Sequence, residues 1–230
     1  VSYVEEYNFW HKYFKKNFTK KLTKKFNFIN LVPSCGDGER FLAKNKKSFK
    51  PLIMVDKKTM IKKTVDSLPK AKKNVIIIRK DHDKKYNFSK KIKKTIKNTD
   101  VVILKEKTSG MASTCYAYIK NLPKDTPLLI SSCDYSQIFD EKKFLNLLKH
   151  FNPDVVIWSF RKYPDARLSP FAYAYLDIKD GLVKKISEKT PISENPHLDH
   201  IAQGIFYFKS AEIFLKATDQ MFRMGNKINN

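Results

Sequence analysis

Between Tyr3 and Phe26 apolar side chains return every three or four residues (Tyr3, Tyr7, Trp10, Phe14, Phe18, Leu22, Phe26), which is the repeat of one helical face. The opposite face is nearly all lysine: Lys12, Lys15, Lys16, Lys20, Lys21, Lys24 and Lys25. Such a helix packs on the domain that follows or joins to one upstream, and anionic lipid is the competing partner. Residues 1–26 are thus expected to form a basic amphipathic helix or linker, and 27–230 one domain.

After Phe26 the pattern changes to short β-branched runs separated by helical stretches. Phe28–Val32, Val75–Ile78, Val101–Leu104, Leu128–Ile130 and Val155–Trp158 read as strands. Helical spacing predicts helices from about Thr59 to Leu68, 84 to 97, 112 to 121 and 141 to 150. Strands joined through helices cannot pair as tight hairpins, so they are expected to lie parallel with helices on both faces. Ala172–Ile178, the Asp180-Gly181 turn and Leu182–Ile186 read as a hairpin, and Gly204–Phe208 as a further strand, which makes the sheet mixed. The expected fold class is α/β: a three-layer sandwich around a mostly parallel, mixed sheet, with a Rossmann-like course. Asn226–Asn230 is polar and loop-like and directly follows a helical stretch, so the domain is expected to be cut short at that end.

Composition narrows the class. The chain has 230 residues, 42% hydrophobic and 13% aromatic, far too apolar for disorder. Mean hydropathy is −0.49, and no apolar run nears the ~18 residues of a membrane span. Three cysteines without Cys-x-x-Cys spacing support neither a disulfide framework nor a zinc module, and no secretory signal is visible, so a reducing cytoplasm is expected. The net charge of +23 draws anionic substrates from a distance. Only five of the 46 basic residues are arginine, the preferred reader of phosphates and bases, and the lysines are scattered. A solvated lysine surface explains them better than a specific nucleic-acid footprint.

In open α/β sheets ligands lie beyond the carboxyl ends of the strands. The first such loop is Pro33-Ser34-Cys35-Gly36-Asp37-Gly38-Glu39-Arg40, in which two glycines let backbone N–H groups approach a phosphate chain and Arg40 can add a clamp. A dinucleotide fingerprint wants a third glycine where Phe41 stands, and a Walker loop wants Gly-Lys-Ser/Thr, so both classes lose ground. Lys50 follows, stiffened by Pro51, with an ammonium suited to phosphate. Asp134 ends a strand and can offer a hard oxygen to Mg²⁺; capping the helix near Glu141 is its alternative role.

Taken in order, these stations resemble the sugar-phosphate nucleotidyltransferases. The resemblance is carried by Gly36-Asp37-Gly38-Glu39-Arg40-Phe41, Lys50-Pro51-Leu52-Ile53 with Met60-Ile61, Gly110-Met111-Ala112-Ser113-Thr114, Leu129-Ile130-Ser131-Ser132-Cys133-Asp134, Glu188-Lys189 and Gly204-Ile205-Phe206-Tyr207-Phe208. It covers roughly residues 28–210. It implies a nucleotide-diphospho-sugar-transferase architecture and a Mg²⁺-dependent enzyme of nucleotide-sugar and polysaccharide biosynthesis, which joins an NTP to a sugar phosphate and releases pyrophosphate. By the same resemblance, Arg40, Lys50 and Asp134 are catalytic, Asp134 being the metal ligand. Gly36, Asp37, Gly38, Gly110, Met111, Ser113 and Thr114 bind nucleotide, and Glu188, Lys189 and Gly204 meet the sugar phosphate. The chemistry asks for such groups. A phosphate nucleophile has a second pKa of about 6, so it needs no base; the obstacle is holding anions in line.

Three features depart from the pattern. Glu39 stands where the family has a small hydroxyl residue, Lys57-Lys58-Thr59 replaces Gly-Lys-Pro, and no convincing second metal ligand follows, although Asp199 and Asp219 are nearby acids. They keep two rivals open: a cytidylyltransferase for another phosphorylated alcohol such as phosphocholine, and a degenerate domain that binds nucleotide sugar without turnover. Base, sugar and oligomeric state, a homo-oligomer included, are not legible.

Overall fold

A computed structural model describes residues 25–38 and 49–225. Of the expected lysine-rich helix only Lys25, outside any helix or strand, and Phe26, the first residue of strand β1 (Phe26–Ser34), lie among them, and Arg40 lies outside. In chain order β1 is followed by a 3₁₀ turn at Lys50–Leu52, β2 (Met54–Val55), β3 (Lys58–Thr59), α1 (Met60–Ser67), β4 (Ala71–Arg79), α2 (Lys80–Tyr86), α3 (Phe88–Thr95) and β5 (Thr99–Leu104). Then come α4 (Met111–Ile119), β6 (Leu128–Ser131), α5 (Glu141–Phe151), β7 (Val155–Phe160), α6 (Asp165–Leu168), β8 (Ala174–Lys179), β9 (Leu182–Glu188), β10 (His200–Phe208) and α7 (Ala211–Met224).

Eight strands form one sheet in the order β5-β4-β1-β6-β10-β8-β9, with β7 against β10. The first four are mutually parallel; β10 runs antiparallel to β6, β7 and β8. Ile201 pairs with Phe160 of β7 and with Tyr175 of β8, so β7 lines one edge of β10 while β6 and β8 share the other.

Alternation along the strands builds three layers. Phe26, Phe28 and Val32 of β1, with Ile76 and Ile78 of β4, meet Ile61 and Val65 of α1, Phe88 and Ile92 of α3, and Phe144 of α5. Ile29, Leu31, Val75 and Ile77 point the other way, to Cys115 and Ile119 of α4 and Phe214 of α7. Strands buried on both faces lack a polar side, which is why they read as continuous apolar runs.

The fold departs from expectation in detail. The helix predicted over 84–97 is two helices, because Asn87 adopts a left-handed conformation (φ 51°) that asparagine tolerates, and the Ser89 N–H then bonds Asp83 Oδ1 at 2.7 Å. β2 and β3 form a small hairpin turned by Asp56 and Lys57, both at positive φ, with Lys57 the first of the three residues that replace the family's Gly-Lys-Pro. The predicted hairpin begins two residues late, since Pro170–Ala172 is a 3₁₀ turn, and the last predicted strand is longer, His200–Phe208.

Candidate active site

Strand order decides where a crevice opens. From β1 the chain moves outward to β4 and β5 on one face, then crosses back under the sheet through α4 to β6 on the far side of β1. The connections after β1 and β6 therefore diverge, leaving the switch-point crevice at their carboxyl ends. The loop after β1 carries Cys35–Gly38, and the loop after β6 carries Ser132–Asp134.

These loops meet through Lys50. Its ammonium pairs with Asp134 Oδ2, while Ser132 Oγ donates to Asp134 Oδ1. Gly38 adopts φ +68°, and a Cβ there would come within 3.4 Å of Lys50 Cβ, so the lysine stem lies along the glycine backbone. Both ends of the pair are about a quarter exposed and open to displacement by ligand. Gly204 lies at an irregularity of β10, at φ +76°, and its carbonyl accepts the Ser132 N–H at 3.0 Å. A Cβ on Gly204 would meet Ser132 Cβ at 3.4 Å. Behind the loop, Thr64 of α1 donates its hydroxyl to the Cys133 carbonyl at 3.1 Å. The α5 cap is Asp140, which accepts the Lys142 and Lys143 N–H groups, so Asp134 has no capping part there.

A second cluster surrounds Asp37. Arg79 Nη1 at the end of β4 reaches Asp37 Oδ1 at 2.6 Å, Lys107 Nζ from the β5–α4 loop reaches Oδ2 at 2.7 Å, and His82 Nε2 stands 3.5 Å from Oδ1. Hydrogen bonding from Lys107, joined by Arg79, holds the Asp37 carboxyl below its usual range. Arg79 is nearly buried and also binds Asp81, through Nε at 2.9 Å, and the Cys35 carbonyl at 3.3 Å. Burial, with Arg79 next, lowers the pKa of His82, whose ring packs on Phe49 and whose Nδ1 has no hydrogen-bond partner among the described residues. Burial pushes the Cys35 and Cys133 thiols up to about 11, leaving them poor nucleophiles.

Gly110 opens α4 in an extended conformation, and a Cβ on it or on Gly36 would meet no described atom within 4 Å, so both face open space. Met111 is partly exposed. Ser113 and Thr114 turn their hydroxyls back on the loop, to Ser109 at 2.7 Å and Thr108 at 2.5 Å. Glu188 ends β9 exposed; Lys189 follows at φ 57°, donates its N–H to the Tyr173 carbonyl at 2.8 Å and borders a shallow depression of 570 Å³ beside Leu168–Ala172. Tyr173 lies near enough to Tyr135 for that phenol to add to the burial and the Asp165 charge that raise it.

The structure thus brings Asp37, Gly38, Lys50, Asp134 and Gly204 to one rim. It sets Glu188 and Lys189 on the neighbouring hairpin. Sequence reasoning missed Arg79, His82, Lys107 and Ser132. An arginine closing a strand was a usable signal; one lysine among many was not.

Asp134 supplies a hard oxygen donor, and among the described residues no three His, Cys, Asp or Glu side chains cluster as a metal cage. Asp199 accepts the Ile192 and Ser193 N–H groups and the Ser193 hydroxyl, and Asp219 lies close enough to Tyr116 to raise its pKa. One carboxylate fits a cation that keeps waters and takes further oxygens from phosphate, the habit of Mg²⁺. Among the described residues no helix is long and apolar enough to cross a membrane.

Residues 29–227 match the nucleotidyl transferase family. The chain belongs to that family. This nucleotidyltransferase shares its fold with the nucleoside-diphosphate-sugar pyrophosphorylase of Vibrio cholerae RC9, at TM-score 0.64 and 17% identity over 87% of this chain and 82% of that one. The inositol-1-phosphate CTP transferase of T. maritima aligns at 0.61 and 14%, over 86% and 84%. The 4-diphosphocytidyl-2C-methyl-D-erythritol synthase of Anaerococcus prevotii DSM 20548 aligns at 0.53 and 15%, over 89% and 80%. No curated protein matches the chain by sequence. It is an enzyme of the nucleotidyltransferase class.

Proposed function

We propose that this nucleotidyltransferase joins an NTP to a sugar 1-phosphate, in the cytoplasm, forming an NDP-sugar and pyrophosphate. The observation that carries the reading is the meeting of Gly38, Lys50 and Asp134 at the crevice between β1 and β6. A sugar-phosphate oxygen forms a bond to the α-phosphorus, and the bond from that phosphorus to the bridging oxygen breaks, its electrons leaving with pyrophosphate. Lys50 moves from Asp134 to the phosphates and neutralises them, and Arg40 adds charge from the same glycine loop. Asp134, so released, would hold Mg²⁺, whose charge would screen the phosphates from one another. Gly36 and Gly38 admit the triphosphate to the backbone of the first loop. Gly110, Met111, Ser113 and Thr114 frame the base, Gly110 by its open backbone and the two hydroxyls by keeping the loop in shape. Glu188 accepts sugar hydroxyls, Lys189 meets the sugar's phosphate, and Gly204 seats the Asp134 loop.

A panel of NTPs and sugar phosphates, assayed for pyrophosphate, tests the reading. Release should need both substrates and Mg²⁺, and Asp134→Ala should lower it by about 10²- to 10³-fold, the scale of losing a main electrostatic group. Undiminished turnover in that variant removes the metal assignment. Turnover with CTP and phosphocholine, but no sugar phosphate, transfers the reaction to a phosphorylated alcohol, a reading kept in play by the likeness to the T. maritima CTP transferase. Nucleotide binding without pyrophosphate from any acceptor leaves a non-catalytic binding domain.

A further inference from the structure

The carboxylate of Asp37 lies between two glycines in the loop proposed to hold a triphosphate, where unneutralised charge would repel the ligand. Its partners come from β4, from α2 and from the loop after β5. Arg79 is fixed, nearly buried and bound as well to Asp81 and to the Cys35 carbonyl. Lys107 is an exposed side chain from the loop that leads into Gly110. β4 stands between β1 and β5, so the carboxyl ends of β1 and β5 lie about 9.6 Å apart, two strand spacings. The Lys107–Asp37 contact spans that gap at the rim, and Cys35 and Cys115 of α4 share one core cluster beneath it. A nucleotide whose phosphates lie on the first loop and whose base lies on the second reads the distance between them.

We propose that Lys107 is a positioning residue for the nucleotide: through Asp37 it straps the β5–α4 loop to the glycine loop and sets the span over which triphosphate and base are gripped together. The inference rests on the nucleotide site proposed above. In this role Lys107 acts through Asp37, to which its ammonium is bonded, and not on the phosphates directly. Direct attraction would make the opposite prediction for Asp37, because removing a negative charge beside a triphosphate should tighten binding.

The test compares Lys107→Met, Lys107→Arg, Asp37→Asn and the Lys107→Met/Asp37→Asn pair by nucleotide calorimetry, by the KM for NTP and kcat, and by hydrogen exchange over residues 35–38 and 108–112 in nucleotide-free protein. Lys107→Met should weaken nucleotide binding and raise the KM for NTP about two- to fivefold, the scale of one exposed ion pair, with kcat and the KM for sugar phosphate unchanged. Asp37→Asn should weaken binding similarly, the double variant should add nothing further, and Lys107→Arg should restore wild-type behaviour. Exchange over both segments should rise in Lys107→Met and not in Lys107→Arg. Wild-type affinity in Lys107→Met, tighter binding in Asp37→Asn, or unchanged exchange overturns the strap. If Asp37→Asn does not fold, the Lys107 pair decides alone, since that side chain is exposed. A wild-type protein that binds no nucleotide refutes the proposed function, and the exchange comparison still judges the strap.

Discussion

Replacing Gly204 by alanine separates backbone strain from site geometry. Gly204 holds φ +76°, a conformation that costs an L-residue about 1–2 kcal/mol. Loss of glycine's freedom in the unfolded chain returns about 0.4–1 kcal/mol, so the net destabilisation is about 0–1.6 kcal/mol. In a domain of this size that lowers the melting temperature by up to roughly 6 °C. The new methyl would also stand 3.4 Å from Ser132 Cβ, tight enough to shift the Ser132–Asp134 loop by a few tenths of an ångström. Gly225 provides the control: it closes α7 at φ +66° with no described atom within 4 Å of a Cβ. Its alanine variant carries the same strain away from the rim. Urea unfolding should find the two variants alike, whereas pyrophosphate release should fall about tenfold or more in Gly204→Ala alone, since small misplacements in such sites are costly. Equal activity in the two variants would refute the claim that Gly204 seats the Asp134 loop.

Other consequences concern stability. Asp140→Ala removes the carboxylate that accepts the Lys142 and Lys143 N–H groups at 2.9 and 3.1 Å, and should cost about 1 kcal/mol in urea titrations with activity retained. His82 is lowered in the fold, chiefly by burial and then by Arg79, against the raising influence of Asp81 and Asp37. The unfolded chain therefore takes up a proton near pH 6.5 that the folded ring resists, so stability should fall as pH drops from about 7.5 to 5.5. His82→Phe should reduce that fall, and an unaltered pH dependence would exclude His82 as its source.

Much of the site was legible because its residues follow strands whose apolar runs are plain in the sequence. Val75–Ile78 and Leu128–Ile130 could only be buried strands, and the residues after them had to face the carboxyl edge. Asn87 escaped notice because a left-handed asparagine inside a periodic basic stretch disturbs no hydrophobic spacing. Lys107 escaped because nothing local distinguishes it from the other lysines; its meaning comes from Asp37, seventy positions earlier.

The order of apolar and polar residues by itself determined the α/β class, the parallel core and the stations at which chemistry could sit, since periodicity and turn residues are local properties of the chain. Tertiary structure alone decided that Lys50 would bridge Gly38 to Asp134, and that Arg79 and Lys107 would converge on Asp37. Those contacts depend on strand order, which lays the β1 and β6 ends side by side with β4 and β5 beyond them. Spatial adjacency between distant segments is a product of packing the whole sheet, and no local pattern encodes it.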